Sequence, residues 1–226
     1  MHVFLLNIPR LEFAAIIPKG DHATVCMLGE DIDKALLECF LSVPEVRRCM
    51  SPDWQMEENN CGCAPLMNIR GATEPYGDRI VLVGDCAAAR LCKDGIGSAY
   101  RTAKAVANAA VLHGVSVEDF RRHYRPVCRA VEFDNGIGKL VFAVTRRIQK
   151  RPFTRRAILS LCEDKRHKPG ARRAMSGVLW DMFTGSASYR DIFLRTLWPT
   201  FRAPFLWKIA LSLGRIPRRI RTPEGA

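Results

Sequence analysis

Histidine is scarce in this chain. The five residues, at positions 2, 22, 113, 123 and 167, do not cluster. That scatter yields no Ser/His/Asp constellation and no identifiable general acid or base. No apolar run reaches the roughly 18 residues of a membrane-spanning helix. There is no fixed-period repeat and no low-complexity tract. The opening Met1-His2-Val3-Phe4-Leu5-Leu6 lacks the basic start, the length and the small-residue cleavage site of a secretory leader. No Gly-x-Gly-x-x-Gly follows a strand: Gly95-Ile96-Gly97-Ser98-Ala99-Tyr100 fails at the third glycine, and Gly136-Ile137-Gly138 follows a helical stretch.

Cysteine is present but unpatterned. Nine residues, an odd number, are scattered from Cys26 to Cys162, so a disulfide framework is not expected and a reducing, cytoplasmic setting is. Cys61-Gly62-Cys63 with Cys49 has no second Cys or His pair at ligand spacing, so no metal site is expected. Cys86 and Cys92 read as small buried thiols.

The composition is that of a folded protein. Of 226 residues, 48% are hydrophobic and 26% charged, which excludes collagen-like and disordered classes because enough apolar surface exists to offset chain entropy. The net charge of +12 is uneven. Residues 1–145 hold 16 Lys/Arg against 18 Asp/Glu; residues 146–226 hold 19 against 5. Such a basic segment favours an anionic partner, either phosphates or acidic lipids. Its cations interleave with core-like apolar residues and no nucleic-acid module appears, so nucleic acid is not expected.

Strands are expected at Val3–Leu6, Leu11–Ile17 and Ala23–Leu28, the last two joined by a turn at Pro18-Lys19-Gly20-Asp21. A helix follows from about Asp31 to Leu41, stopped by Pro44, then a loop over 51–66. Asp78-Arg79-Ile80-Val81-Leu82-Val83-Gly84-Asp85 reads as a strand buried on both faces. After an irregular stretch, in which Lys93 and Asp94 read as a solvated pair, Gly95 opens an Ala-rich helix that runs to His113 and is closed by Gly114. Ser116 and Asp119 form a capping box for the next helix. The pattern from Glu118 to Lys150 is helical, with a bend expected at Pro126 and an interruption at Asn135-Gly136. The result is a mixed α/β chain, an α+β fragment in three parts: a partial sheet with one helix (1–77), a strand-Gly-Asp-loop-helix unit with following helices (78–150), and a basic, Trp-containing helical region (151–226).

The middle part carries the chemistry. A carboxylate at the end of a strand can accept hydrogen bonds from polyol hydroxyls, and Gly84 lets a ligand approach the backbone. That gives Asp85 the role of polyol clamp. The start of a glycine-opened helix at Gly95, Ile96, Gly97 and Ser98 presents N–H groups and the positive end of the helix dipole to a carbonyl or developing anion.

Arg79 to Ala107 resembles the second flavin-binding motif of the FAD-dependent oxidoreductases related to geranylgeranyl reductases and aromatic hydroxylases. That motif is a hydrophobic strand, Gly-Asp-Ala-Ala, a loop ending in Gly-Ile and an Ala-rich helix; Gly84-Asp85-Cys86-Ala87-Ala88 and Gly95-Ile96 stand in those places here. Ala14-Ala15-Ile16-Ile17-Pro18-Lys19-Gly20-Asp21 is similar to the family's Trp-x-Phe-Pro-Lys-Gly-Asp hairpin, without its aromatics, and the similarity covers about residues 1–150. The resemblance implies that Gly84, Asp85, Gly95, Ile96, Gly97 and Ser98 contact FAD, with Asp85 on a ribityl hydroxyl and the helix start facing the pyrimidine ring. It implies hydride transfer to or from a hydrophobic, isoprenoid or lipid-like substrate, with a nicotinamide or other reductant. The chain departs from the family at Arg90, where Pro is usual, and at Lys93, where Gly is usual. It also has no Gly-x-Gly-x-x-Gly unit for the ADP half of FAD. On this reading the sequence corresponds to the C-terminal half of a flavoenzyme, weak in FAD binding and inactive alone.

Two readings stay open for residues 190–226, where Trp198, Phe201, Phe205 and Trp207 mix with cations. One is a helix lying at an anionic membrane surface, which would make the protein peripheral. The other is a helix packed on further protein. The first accommodates a non-enzymatic membrane or interaction protein built on a truncated flavoprotein scaffold.

Overall fold

A computed structural model describes residues 1–51, 54, 62–66, 70–92, 94–163 and 173–214. Most of the loop expected at 51–66, with Cys61, lies outside the described residues. So do Lys93 and the cations at 165–172 and 215–221. Helices dominate, beside a small antiparallel sheet, which is a mixed α/β architecture. The chain divides into two compact units, Met1–Lys150 and Arg151–Ala226.

The first unit opens with β1 (His2–Phe4), β2 (Leu11–Lys19) and β3 (His22–Gly29), antiparallel in that order. Lys19 pairs with His22 across Gly20-Asp21, where Gly20 takes φ +61°, so the turn falls where its residue types demand. The central strand β2 buries Leu11, Phe13, Ala14, Ala15 and Ile16. Helix α1 (Lys34–Ser42) packs on it through Phe40, whose ring meets Phe4 edge-on at 5.4 Å. The helix starts later than Asp31 because Asp31 has φ +46° and Asp33 is the cap, its carboxylate accepting the Leu36 N–H at 2.7 Å. Pro44 ends α1 and begins the short α2 (Pro44–Arg47).

The strand expected over 78–85 is largely absent. Only β5 (Ile80–Val81) forms, paired with β4 (Tyr76–Gly77) around Asp78-Arg79. Among the described residues no other strand pairs with it, so Ile80 is 69% and Leu82 38% exposed rather than buried on both faces. A β-branched run signals an appetite for burial, but neighbouring strands must supply it.

Then come α3 (Asp85–Ala88), α4 (Gly95–Leu112), α5 (Val117–His123) and α6 (Arg125–Lys150). Gly114, at φ +128°, closes α4, and Ser116 with Asp119 forms the complete capping box of α5. Two helix expectations are corrected. The break falls at Tyr124, leaving Pro126 in the first turn of α6, where its missing N–H costs no helical bond. Through Asn135-Gly136 the helix is continuous, because the buried Asn135 side chain bonds outside the helix instead of competing with it. Near its end Gln149 donates to the Glu12 carbonyl at 2.9 Å and Arg146 pairs with the Glu12 carboxylate, tying α6 to β2.

The second unit is helical: α7 (Pro152–Glu163), α8 (Arg173–Thr184), α9 (Tyr189–Leu197) and α10 (Pro199–Gly214). Its core holds Ala157, Ile158, Leu161, Met175, Val178, Met182, Tyr189 and Ile192. Ser188 caps α9 by accepting the Asp191 N–H, and Arg195 pairs with Asp181 at 2.7 Å.

Candidate functional site

The site is assembled around the residue that ends the β5 segment. Gly84 has φ +75° and ψ −145°, a conformation side chains avoid, and it turns the chain from extended into α3. Its N–H donates to Thr102 Oγ1 at 2.9 Å, so α4 grips the turn directly. Thr102 and Ser98 are fully buried, and the Ser98 hydroxyl donates to the Ala88 carbonyl at 2.8 Å. Two α4 side chains thus hold both ends of α3.

This grip sets the position of Asp85. Its side chain is exposed at the first position of α3, and its Oδ2 lies 3.5 Å from where a Cβ on Gly95 would stand. The carboxylate therefore lies beside the helix opening, ten residues away in sequence. Hydrogen bonding inside α4 begins with Ser98 N–H donating to Asp94 O at 2.9 Å. The N–H groups of Gly95, Ile96 and Gly97 precede that first bond and form the helix opening. Ile96 is 90% exposed at its lip. Of the six residues singled out from sequence, the fold brings Asp85 beside Gly95, with Gly84 their neighbour before Asp85 and Ile96 and Gly97 following Gly95 in the first turn of α4. Ser98 directs its side chain inward to Ala88 instead.

A half-buried ionic cluster, unforeseen in the sequence, holds the loop between α3 and α4. The Arg90 guanidinium is only 6% exposed, lies 2.9 Å from Asp94 Oδ2 and 3.7 Å from Asp134 Oδ2, and shares Asp94 with Arg101 at 2.8 Å. Asp94 is thus an ion-paired helix cap in a left-handed conformation (φ +63°), not half of a solvated pair. Burial raises its pKa, but hydrogen bonds from Arg101 and Arg90 outweigh that and hold the carboxyl below the usual Asp range. A Cβ on Gly97 would overlap the Asp94 carboxylate, which gives that glycine a packing reason. Arg90 is therefore an anchor: its ion pairs with Asp94 and Asp134 fix the loop's course. The signal available in sequence was the Arg90/Asp94 spacing together with Asp134.

Tyr124 closes the floor. It is fully buried and donates to the Leu82 carbonyl at 2.6 Å, fixing the segment that leads into Gly84. Burial, then hydrogen bonding to Cys128, pushes its phenol pKa far above the usual value, and burial likewise raises the Cys128 thiol. Neither group serves as an acid or base near neutrality. Among the described residues no cluster of three His, Cys, Asp or Glu side chains suits a metal ion.

The arrangement offers an exposed anionic acceptor, Asp85, a few ångströms from a glycine-lined helix opening of positive potential, on a rigid support. Such a pair can take a ligand with hydroxyl donors at one end and a carbonyl or anionic edge at the other. Compared with protein-family models, curated proteins and solved structures, the chain matches none.

Proposed function

We propose that this chain is the ring-facing portion of an FAD-dependent oxidoreductase acting on a hydrophobic, isoprenoid or lipid-like substrate. The observation that carries this reading is the Asp85 carboxylate beside the Gly95 opening of α4. The residues fit the group: the missing Gly95 side chain leaves a cradle that a Cβ would fill, Asp85 would accept from a ribityl hydroxyl, and the N–H groups at Gly95 to Gly97 would face the pyrimidine edge. When bound, the flavin would supply hydride transfer, with a nicotinamide or other reductant as electron source. The chain's own residues bind and orient. Gly84 and Thr102 hold Asp85 in place, while Arg90, Asp94 and Asn135 hold the loop.

Two uncovered apolar surfaces support the idea that further protein completes the site. Ile80 and Leu82, on one side of the β5 segment, are exposed. So are Ile96, Tyr100, Ala103, Ala107 and Val111, which recur at helical spacing along one face of α4. Surfaces of this kind ordinarily meet a partner.

Riboflavin, which lacks the ADP half, is the suitable probe for this part of the site. Titration by fluorescence quenching should show saturable binding to the purified chain. Asp85→Ala should weaken it about tenfold, as expected for loss of one hydrogen bond to a charged acceptor. Unchanged affinity in that variant removes Asp85 from the site, and no saturable binding by the folded chain defeats the flavin reading.

A further inference from the structure

The second unit carries a surface that the flavin reading leaves unused. Helix α10 has two apolar faces. The inner one, with Phe201, Phe205 and Ile209 half-buried, packs on α7, α8 and α9, and Lys208 Nζ donates to Ser160 Oγ at 2.8 Å to fix the helix on α7. The outer one consists of Ala203, Leu206, Trp207, Ala210, Leu211 and Leu213, all exposed. Leu206 is 61% and Trp207 65% exposed, and Trp198, just before the helix, is 63% exposed. A surface helix ordinarily turns polar residues outward. This one turns tryptophan and leucine outward, with Arg202 exposed beside them and Lys208 turned inward to Ser160.

We propose that this outer face seats in the plane of an anionic lipid bilayer. Charge is the first argument for lipid over protein. Between Asp191 and Glu224 the sequence has no acidic residue and seven cations: Arg195, Arg202, Lys208, Arg215, Arg218, Arg219 and Arg221. Arg195 is paired with Asp181, but the net excess of positive charge in this stretch of sequence, joined to an apolar face, complements acidic headgroups over a hydrocarbon layer. Residue type is the second argument. Trp198 and Trp207 combine an apolar ring with an N–H donor, the combination favoured at headgroup depth. Length is the third. The 16 residues of α10 span about 24 Å, short of the roughly 30 Å hydrocarbon core, and no described helix is long and apolar enough to cross a membrane. The helix therefore lies in the interface, with its inner face still packed on the unit's core. Pro204 is compatible with this, since the bond it removes is to the carbonyl of Thr200, an exposed residue that headgroups and water can reach.

The proposal is independent of the flavin site, and so is its test. The full chain should float with vesicles of phosphatidylcholine containing about one-third phosphatidylserine, and remain unbound with phosphatidylcholine alone. Raising salt to about 0.5 M should reduce flotation, because headgroup attraction is screened. Leu206→Glu with Trp207→Glu should lower the vesicle-bound fraction at least tenfold. Both positions are exposed, so the far-ultraviolet circular dichroism should match the parent chain. Arg202→Gln should give a smaller loss, confined to anionic vesicles. Failure of the parent to float with anionic vesicles overturns the proposal, as does equal flotation of the double variant. Light scattering that finds a dimer abolished by the double substitution also overturns it, by assigning the face to a second copy of the chain.

Discussion

The side-chain amide of Asn135, in the middle of α6, takes the backbone of Leu91 as its partner: its Oδ1 accepts the Leu91 N–H at 2.8 Å while its Nδ2 donates to the Ala89 carbonyl, also at 2.8 Å. One buried amide thus satisfies a donor and an acceptor on the loop that carries the candidate site. Asn135→Leu keeps approximate volume but removes the side-chain amide from both loop groups, which should cost about 2–3 kcal/mol. The direct measurement is amide exchange at Leu91, which should accelerate by about tenfold or more as the loop opens. Unchanged protection there would mean that the clasp does not hold the loop.

What the sequence made legible was local. The Pro18 to Asp21 turn, Gly114 and the Ser116/Asp119 box are specified by residues within four positions of one another, and each lies where its chemistry places it. What it concealed depended on distant partners. Asn135-Gly136 reads as a helix breaker because asparagine competes for local backbone groups, yet its competitor here is a loop 44 positions away in sequence. The Ile80 to Val83 run reads as a doubly covered strand because its composition reports a preference for burial, while cover comes from neighbouring strands. In the site itself, Asp85 and the Gly95 opening were legible as a motif. The inward turn of Ser98 was not, since it depends on where Ala88 lies.

Asp94 makes a prediction about acid. Its carboxyl titrates below the usual Asp range because Arg101 and Arg90 bond it despite partial burial. A depressed folded-state pKa contributes stability that is present above the unfolded value, about 3.9, and is lost as pH falls through the folded value. The melting temperature of the parent should therefore fall below about pH 4 more steeply than that of Asp94→Asn, which should start lower at neutrality. Parallel curves for the two proteins would show that the cluster contributes no pH-dependent stability.

Tyr124 makes the converse prediction at the alkaline end. Burial raises its pKa in the folded state, so the stability associated with its neutral phenol is complete below the unfolded value of about 10 and is lost as pH rises through the folded value. Tyr124→Phe preserves the ring packing and removes the bond to the Leu82 carbonyl, at a cost of about 1–2 kcal/mol at neutral pH. It should also flatten the fall in stability above about pH 10. Denaturant unfolding at neutral and alkaline pH separates the two effects, and an equally steep alkaline limb in the variant would exclude Tyr124 as its source.

Gly84, before Asp85, and Gly95, beside its carboxylate, answer to different constraints, and a single methyl group distinguishes them. At Gly84 the backbone has φ +75° and ψ −145°, so Gly84→Ala forces an L side chain into a region nearly reserved for glycine and should destabilise the first unit by about 1–3 kcal/mol. Gly95 has no positive φ, and a Cβ there would meet Asp85 Oδ2 at 3.5 Å, ordinary contact distance. Gly95→Ala should therefore leave stability unchanged or raise it by about 0.5–1 kcal/mol through the reduced freedom of the unfolded chain. Its methyl group nonetheless occupies the space between the carboxylate and the helix opening, where a bound ring edge would lie. Riboflavin affinity should then fall several-fold in a protein as stable as the parent, a combination that a purely structural role for Gly95 does not produce. Retained affinity would place the ligand elsewhere on the chain.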